Sequence, residues 1–338
     1  MTDYLIRTAD SAQSLPDLGT PVPPQQAFFY GAWHKQLGRR IYPLLIERNG
    51  RVVGVMQLIC YPITLGYTLL YAPYGPVITD ISEELLRALA QTISDIAKKE
   101  RAIFTRITFT TSTTLPPSLL QKEGFQIPHP RTLSASAFQP TYEWMLDLSP
   151  STDTLLAGMD KKHRYSLRVA SEQHVTTQIV TENTRAYLPI FLALMKETAK
   201  RDGFSLHPHA YYEAVFASLA RGHGYLALAS IGEEIAVINI IVMHSGVAHL
   251  FFSGSSTAHR ATMASYAAQW ASVRHAKDIG MHTYNFGGVS GPSDERYEGI
   301  TRYKKRFGGY LLSHDAAVDL VQYPILYALY TLRRRLKS

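Results

Sequence analysis

Tyr284-Asn285-Phe286-Gly287-Gly288-Val289, followed by Gly299-Ile300-Thr301-Arg302-Tyr303-Lys304-Lys305-Arg306-Phe307-Gly308-Gly309, is the stretch around which the chain is organised. The first half reads as a strand that runs into a glycine pair. Glycines at a strand end let the backbone bend sharply or let another molecule approach it closely. The second half sets Arg302, Lys304, Lys305 and Arg306 between the rings of Tyr303 and Phe307. Cations this dense, bracketed by aromatics, suit a phosphate or a carboxylate. A basic run is ordinarily a solvated turn; the glycine-ended strand before it argues for a site.

The chain has 338 residues, enough for two domains of ordinary size. Its net charge of +7 favours an anionic partner, whether nucleic acid, a phosphorylated precursor or an anionic lipid surface. Cys60 is the single cysteine, which excludes an internal disulfide and a cysteine zinc site and fits a reducing compartment. The N-terminus lacks the pattern of a signal peptide, and no apolar run reaches the ~20 residues that span a bilayer. A soluble cytoplasmic monomer is expected.

Working back to the start, residues 27–37 read as an aromatic-rich helix containing Trp33 and Lys35. Residues 41–48 and 51–60 form a hairpin turning at Asn49-Gly50, a strong two-residue turn signal. A strand from Tyr67 to Tyr71 enters Ala72-Pro73-Tyr74-Gly75-Pro76. An amphipathic helix over 82–98 follows, with Ser82 as its cap. A strand from Ala102 to Phe109, a short helix near 115–123 and the approach to another strand at Gly124-Phe125 complete an α/β order.

Residues 141–148 alternate as a strand. A helix over 152–172 carries Leu156, Met159, Leu167 and Ala170 on one stripe and Lys161, Arg164 and Arg168 on another. The order then repeats: strand 176–180, helices 184–201 and 208–221, a hairpin turning at Gly232-Glu233, a strand 247–252, a helix 260–279 and the glycine-ended strand. The fold class is therefore α/β, read as two tandem GNAT-like (acyl-CoA N-acyltransferase-like) domains with mixed sheets. The expected divisions are 1–147, 148–318 and a C-terminal helix in 319–338. That tail, apolar and then basic, either docks on a domain, the commoner case, or rests on a membrane.

No metal-binding or Walker pattern is present, and Gly288-Val289-Ser290-Gly291-Pro292 misses a nucleophile elbow at its last position. Gly222-His223-Gly224-Tyr225-Leu226-Ala227 precedes a strand, the wrong context for a dinucleotide loop. Ser253-Gly254-Ser255-Ser256-Thr257-Ala258-His259-Arg260 occupies the place of the coenzyme A loop and matches it poorly. A basic surface on such a fold without that loop suggests another activated acyl donor; aminoacyl-tRNA fits.

The two C-terminal segments resemble the Tyr-Asp-Phe-Gly-Gly-Ile … Phe-Lys-x-x-Phe-Gly signature of the FemABX family. Weaker likeness runs through Trp33-His34-Lys35, Tyr71 to Val77, the 141–148 strand, the Lys161 to Arg168 helix and Ser253-Gly254-Ser255. No long helical arm is inserted, so the chain is similar to the family's compact branch. The resemblance implies transfer of an amino acid from aminoacyl-tRNA to the peptide of a peptidoglycan precursor, nucleotide- or lipid-linked, without a cofactor. It implies Lys304 as the catalytic residue, holding the acyl end and the developing charge. Lys35 is implied at the phosphate-sugar end of the precursor, with Trp33, Tyr74, His207, Tyr303 and Phe307 as further substrate contacts. The tRNA is expected on Lys161, Arg164, Arg168, Arg302, Lys305 and Arg306. Departures fall at Thr108, His207 and Phe251 or Phe252, and they remove the obvious general base. The rivals are a coenzyme A-dependent N-acyltransferase, a non-catalytic tRNA-binding module and a peripheral membrane protein using the tail.

Overall fold

The structure, a computed structural model, describes residues 4–9, 15, 17–79, 81–109, 117–128, 139–291 and 298–335. The chain divides into two compact units, one of Met1–Thr141 with Ser313–Ser338 and one of Tyr142–Leu312.

The first unit runs β1 (Tyr4–Thr8), α1 (Phe28–Gln36), β2 (Ile41–Arg48), β3 (Arg51–Pro62), β4 (Thr68–Ala72), β5 (Val77–Ile78), α2 (Glu83–Lys99), β6 (Ala102–Ile107), α3 (Pro117–Lys122) and β7 (Phe125–Gln126). Asn49 and Gly50 both take positive φ, the geometry that joins β2 to β3 in a tight hairpin. Ser82 caps α2 by accepting from the Leu85 amide at 3.1 Å, and acids in the first turn and lysines in the last suit the helix dipole. Its inner face, Leu85, Leu86, Leu89, Ile93 and Ala97, packs on the sheet. Each of these leucines and the isoleucine contributes roughly 1.5–3 kcal/mol.

The second unit continues with β8 (Tyr142–Asp147), α4 (Thr152–Gly158), α5 (Lys161–Glu172), β9 (Val175–Val180), α6 (Leu188–Asp202), α7 (His209–Ser218), β10 (Gly224–Ile231), β11 (Glu234–His244), β12 (Val247–Ser255), α8 (Ala264–Asp278), β13 (Thr283–Gly288), α9 (Glu298–Lys305) and β14 (Tyr310–Ser313). The chain then adds β15 (Val318–Val321) and α10 (Pro324–Arg335) to the first unit.

Each sheet is mixed. The first has the order β1-β2-β3-β4-β6-β15-β7 with β5 on β3, the second β14-β8-β13-β12-β11-β10-β9. Each contains a parallel pair joined through a helix, β4-α2-β6 and β12-α8-β13, beside an antiparallel hairpin. The repeated order is thus a repeated topology.

Three details differ from the sequence reading. The strand at 142–147 pairs antiparallel with β13, so the units divide at 141/142 rather than 147/148, and they divide again at 312/313 rather than 318/319. The single helix expected over 152–172 is two. Asp160 takes an extended backbone, caps α5 by accepting from the Lys162 amide at 2.8 Å, and gives its own amide to Arg306 O at 2.9 Å. The buried face of α5 is consequently His163, Ser166 and Ala170, and Leu167 lies only partly covered. The basic segment expected as a site or a turn is a helix, α9.

β15 is fastened to β6 by a fully buried ion pair. The Arg106 Nε and Nη2 donate to the two Asp319 oxygens at 2.7 and 2.6 Å, and the Tyr327 hydroxyl donates to Oδ2 at 2.6 Å. Removing one partner leaves a buried charge unpaired, so Asp319→Asn is expected to cost about 3–5 kcal/mol in denaturant unfolding. The double change Arg106→Met with Asp319→Leu should recover most of it; a single-variant loss under about 1 kcal/mol would contradict this.

Candidate active site in the second unit

The second sheet opens at its parallel pair. β12 and β13 hydrogen-bond only over Val247–His249 against Thr283–Asn285, although both strands continue. Two irregularities sit at that level. β12 holds an extra residue at Phe251 against β11, and β13 shifts register against β8 between Asn285 and Gly288. Bulges bend strands away from their partners. Gly287 lies inside the second one at φ +79, where a side chain would be strained. A Cβ there would also stand 3.4 Å from Leu250 O and 3.6 Å from the Lys304 Nζ.

Lys304 occupies this opening. Within α9, Thr301 and Lys304 face inward while Arg302 and Lys305 face solvent. Lys304 is 8% exposed, and its Nζ donates to Gly288 O at 2.6 Å. Burial pulls its ammonium down to a pKa of about 8, and the Glu143 carboxylate opposes that shift. The helix is clamped in place. Thr301 Oγ1 accepts from the Ser290 amide at 2.8 Å, and His163 Nε2 lies 2.9 Å from Tyr303 O. The His163 ring stands edge-on to Tyr266 and Phe307.

Beside Lys304 is a cavity of about 390 Å³. Its aromatic wall is Tyr266 and Tyr303, and the Tyr303 hydroxyl donates to Ser265 O at 3.1 Å. Burial pushes that hydroxyl well above its ordinary pKa, so it stays protonated at neutral pH. The opposite wall is Leu250, Ser253 and Ser255 of β12 with Arg201 and Arg260. Arg201 donates to the Ser255 hydroxyl at 3.2 Å and pairs with Asp202 at 2.9 Å, so this rim carries both charges. A Cβ at Gly254 would stand 3.0 Å from the Leu194 Cβ and 3.2 Å from the Met195 amide, a tight fit. The strand therefore lies flat on α6.

The sequence-predicted residues divide as follows. Lys304 and Tyr303 line the cavity. Phe307 does not: it is buried against His163, Tyr266 and Phe286 and props α9 from behind. Trp33 is likewise fully buried, and Tyr74 is buried with its hydroxyl on Pro140 O at 2.8 Å, so neither ring offers a surface to substrate. Lys35 is exposed on the outer face of α1 in the first unit. His207 is exposed and stacks on Tyr211, 4.5 Å between centroids, near Phe252.

Arg302, Lys305 and Arg306 line a second, shallow recess with Asp160. The Asp160–Arg306 backbone bond brings Lys161 to its edge. Arg164 turns back onto Ala157 O and Met159 O, and Arg168 lies further along α5 pairing with Glu172.

Glu143 and His249 were not singled out by sequence. Strand alternation puts both on the sheet face opposite Tyr284 and Phe286. Burial depresses the His249 imidazole to a pKa of about 4, keeping it neutral, while Glu143 works against that as it does for Lys304. The only available signal was a glutamate at an apolar-looking strand position. Among the described residues no group of His, Cys, Asp and Glu is arranged to hold a metal.

A tandem acyltransferase-type fold whose second sheet opens onto a buried lysine and a polar cavity defines an acyl-transferring enzyme. The family model described as the FemAB family matches residues 33–234 and 232–335, and the chain belongs to that family. It is 25% identical to the lipid II:glycine glycyltransferase of Staphylococcus aureus (strain USA300), over 85% of each chain. The crystal structure of FemX superposes with a TM-score of 0.79 at 21% identity, covering 92% of this chain and 95% of that one. A tandem GNAT protein from the clavulanic acid biosynthesis pathway gives 0.53 at 13% identity, covering 94% and 98%.

Lys304 titrates low because the fold buries its charge, so between about pH 8 and 10.5 the unfolded chain binds the extra proton and stability rises with pH. Lys304→Met is therefore expected to be more stable than the parent near pH 7, by on the order of 3 kcal/mol at most. The gap should narrow as pH climbs through that window, and urea unfolding at several pH values checks it. A gap that does not change with pH would contradict the buried-charge account.

Proposed function

We propose that the second unit takes the aminoacyl end of an aminoacyl-tRNA into the cavity beside Lys304 and passes the amino acid to a peptide amine of a peptidoglycan precursor. The observation that carries this reading is the Lys304 ammonium, held at the mouth of the splayed strands with one N–H on Gly288 O and two donors left for a substrate oxygen. In the reaction the neutral acceptor amine attacks the ester carbonyl. The N–C bond forms, the ester C–O bond breaks, and one proton passes from the amine to the leaving ribose oxygen. No covalent enzyme intermediate is needed. What accelerates such a step is holding the reactants together and stabilising the charge that develops on the carbonyl oxygen. Lys304 supplies that stabilisation, and its depressed pKa lets it donate strongly while still mostly charged at neutral pH.

Tyr266 and Tyr303 offer stacking surface to the terminal nucleoside. Arg201 and Arg260 suit its phosphate. The tRNA body is assigned to the basic recess of Arg302, Lys305 and Arg306 and to Lys161, Arg164 and Arg168 beyond it. A coenzyme A reading is less well supported. β12 leads to α8 through His259, which pairs with Glu234 at 3.0 Å, and through Met263 at φ +60, with no glycine-rich amide cradle at the helix start. The staphylococcal relatives act, by their name, on lipid II with glycine. We therefore assign the lipid-linked precursor as acceptor, which brings the enzyme to a membrane surface, and glycine as the first aminoacyl group to assay. Lys35, exposed on the first unit, is assigned to the precursor's phosphate.

Incubation with charged tRNA and precursor, with products weighed, tests the reading. Lys304→Met is expected to lower transfer at least ~10²-fold with the fold retained, and parental rates in that variant would refute the assignment. Lys35→Ala should raise the precursor's KM more than it lowers kcat; an unchanged KM removes Lys35 from the phosphate.

A further inference from the structure

The last helix is apolar on two sides. Its inner side, Leu326, Tyr327 and Tyr330, packs on Leu69, Ile103 and Phe104 of the first sheet. Its outer side carries Ile325, Ala328, Leu329 and Leu332, spaced i, i+3, i+4 and i+7, with no charge before Arg333. Ile325, Leu329 and Leu332 are 79%, 59% and 55% exposed. The free side of a docked helix is normally polar, and contiguous exposed apolar surface marks an interaction face.

A second element reaches the start of this helix. The β3–β4 hairpin turns at Leu65-Gly66, both at positive φ, where Asn-Gly is the favoured pair. Leucine pays a steric cost in that conformation, and its side chain is 86% exposed. The base of this hairpin is joined to the helix: the Tyr67 and Tyr323 rings meet edge-on at 5.5 Å. The Arg101 guanidinium covers Tyr67 at 4.8 Å, and Arg333 lies at the other end of the apolar stripe.

We propose that Leu65, Ile325, Leu329 and Leu332, flanked by Tyr67, Arg101 and Arg333, seat the first unit on an anionic lipid bilayer. Apolar prongs enter the boundary between headgroups and acyl chains, tyrosine settles at headgroup level, and arginines meet lipid phosphates. A second copy of the chain is a poor occupant, because a twofold contact would set this face, whose flanking charges are cations, against itself. Among the described residues no helix is long and apolar enough to cross a membrane, so this contact is peripheral. The inference stands on the first unit alone and does not depend on the reading of the cavity. If that reading also holds, the face delivers the enzyme to an acceptor carried on a lipid.

The full chain is sedimented with vesicles of phosphatidylcholine alone and of phosphatidylcholine mixed with phosphatidylglycerol. Binding to the mixed vesicles is expected, weakening with salt. Leu329→Glu and Leu65→Asp should each bind about tenfold more weakly, and Arg333→Gln should lose about fivefold of the preference for phosphatidylglycerol. All three side chains are exposed, so thermal unfolding should come at no lower temperature than in the parent, and Leu65→Asp, relieved of leucine's cost at positive φ, should not lower it either. Equally weak sedimentation of the parent with both vesicle types overturns the proposal. So does a dimer in light scattering that Leu329→Glu dissolves. Transfer to a soluble, nucleotide-linked acceptor is scored in parallel: its loss with vesicle binding retained counts against the cavity reading and not against this face.

Discussion

A lysine ammonium buried in a gap between two parallel strands is the constraint from which the second unit's chemistry follows. Burying a cation is expensive unless it finds partners, and here the partners are one backbone carbonyl and a carboxylate on the far side of the sheet. The gap exists because β12 and β13 both bulge where they would otherwise continue pairing. Its surroundings keep the ammonium there: Gly287 takes the positive φ of the bulge, Thr301 and His163 fix α9, and Phe307 fills the space behind.

The first unit shows what the same topology does without that gap. Its parallel pair, β4 and β6, shifts register once between Thr68 and Leu70 but stays paired to Ala72 and Ile107, the last residues of the two strands. Thr108 just beyond bonds back to Ala72 O through both its amide and its hydroxyl. The two units share an architecture, but among the described residues the parallel pair of the second stops short of its strand ends while that of the first runs to them. A fold specifies where a site can form, and local irregularity decides whether it does.

Much of this was legible in the sequence because it rests on local signals. Asn49-Gly50 announces its hairpin, Ser82 its helix, and the repeated order of elements the tandem arrangement. Lys304 stood out through its motif. What was hidden depends on partners distant in the chain. The bulge at Phe251 is defined only against β11. Asp160 looked like an acid inside one long helical period, yet its carboxylate caps a new helix and its amide is claimed by Arg306. The resemblance implied substrate contacts at Trp33 and Phe307, but packing turned both inward. Glu143 was passed over because a single strand does not reveal which buried cation its carboxylate faces.

The most direct test of the central claim is a crystal structure with an adenosine carrying an amino acid on its 3′ position through a stable amide. The account predicts the acyl carbonyl oxygen about 3 Å from the Lys304 Nζ, with the adenine against Tyr266 or Tyr303. A ligand seated elsewhere, with Lys304 still bonded only to Gly288, would contradict it.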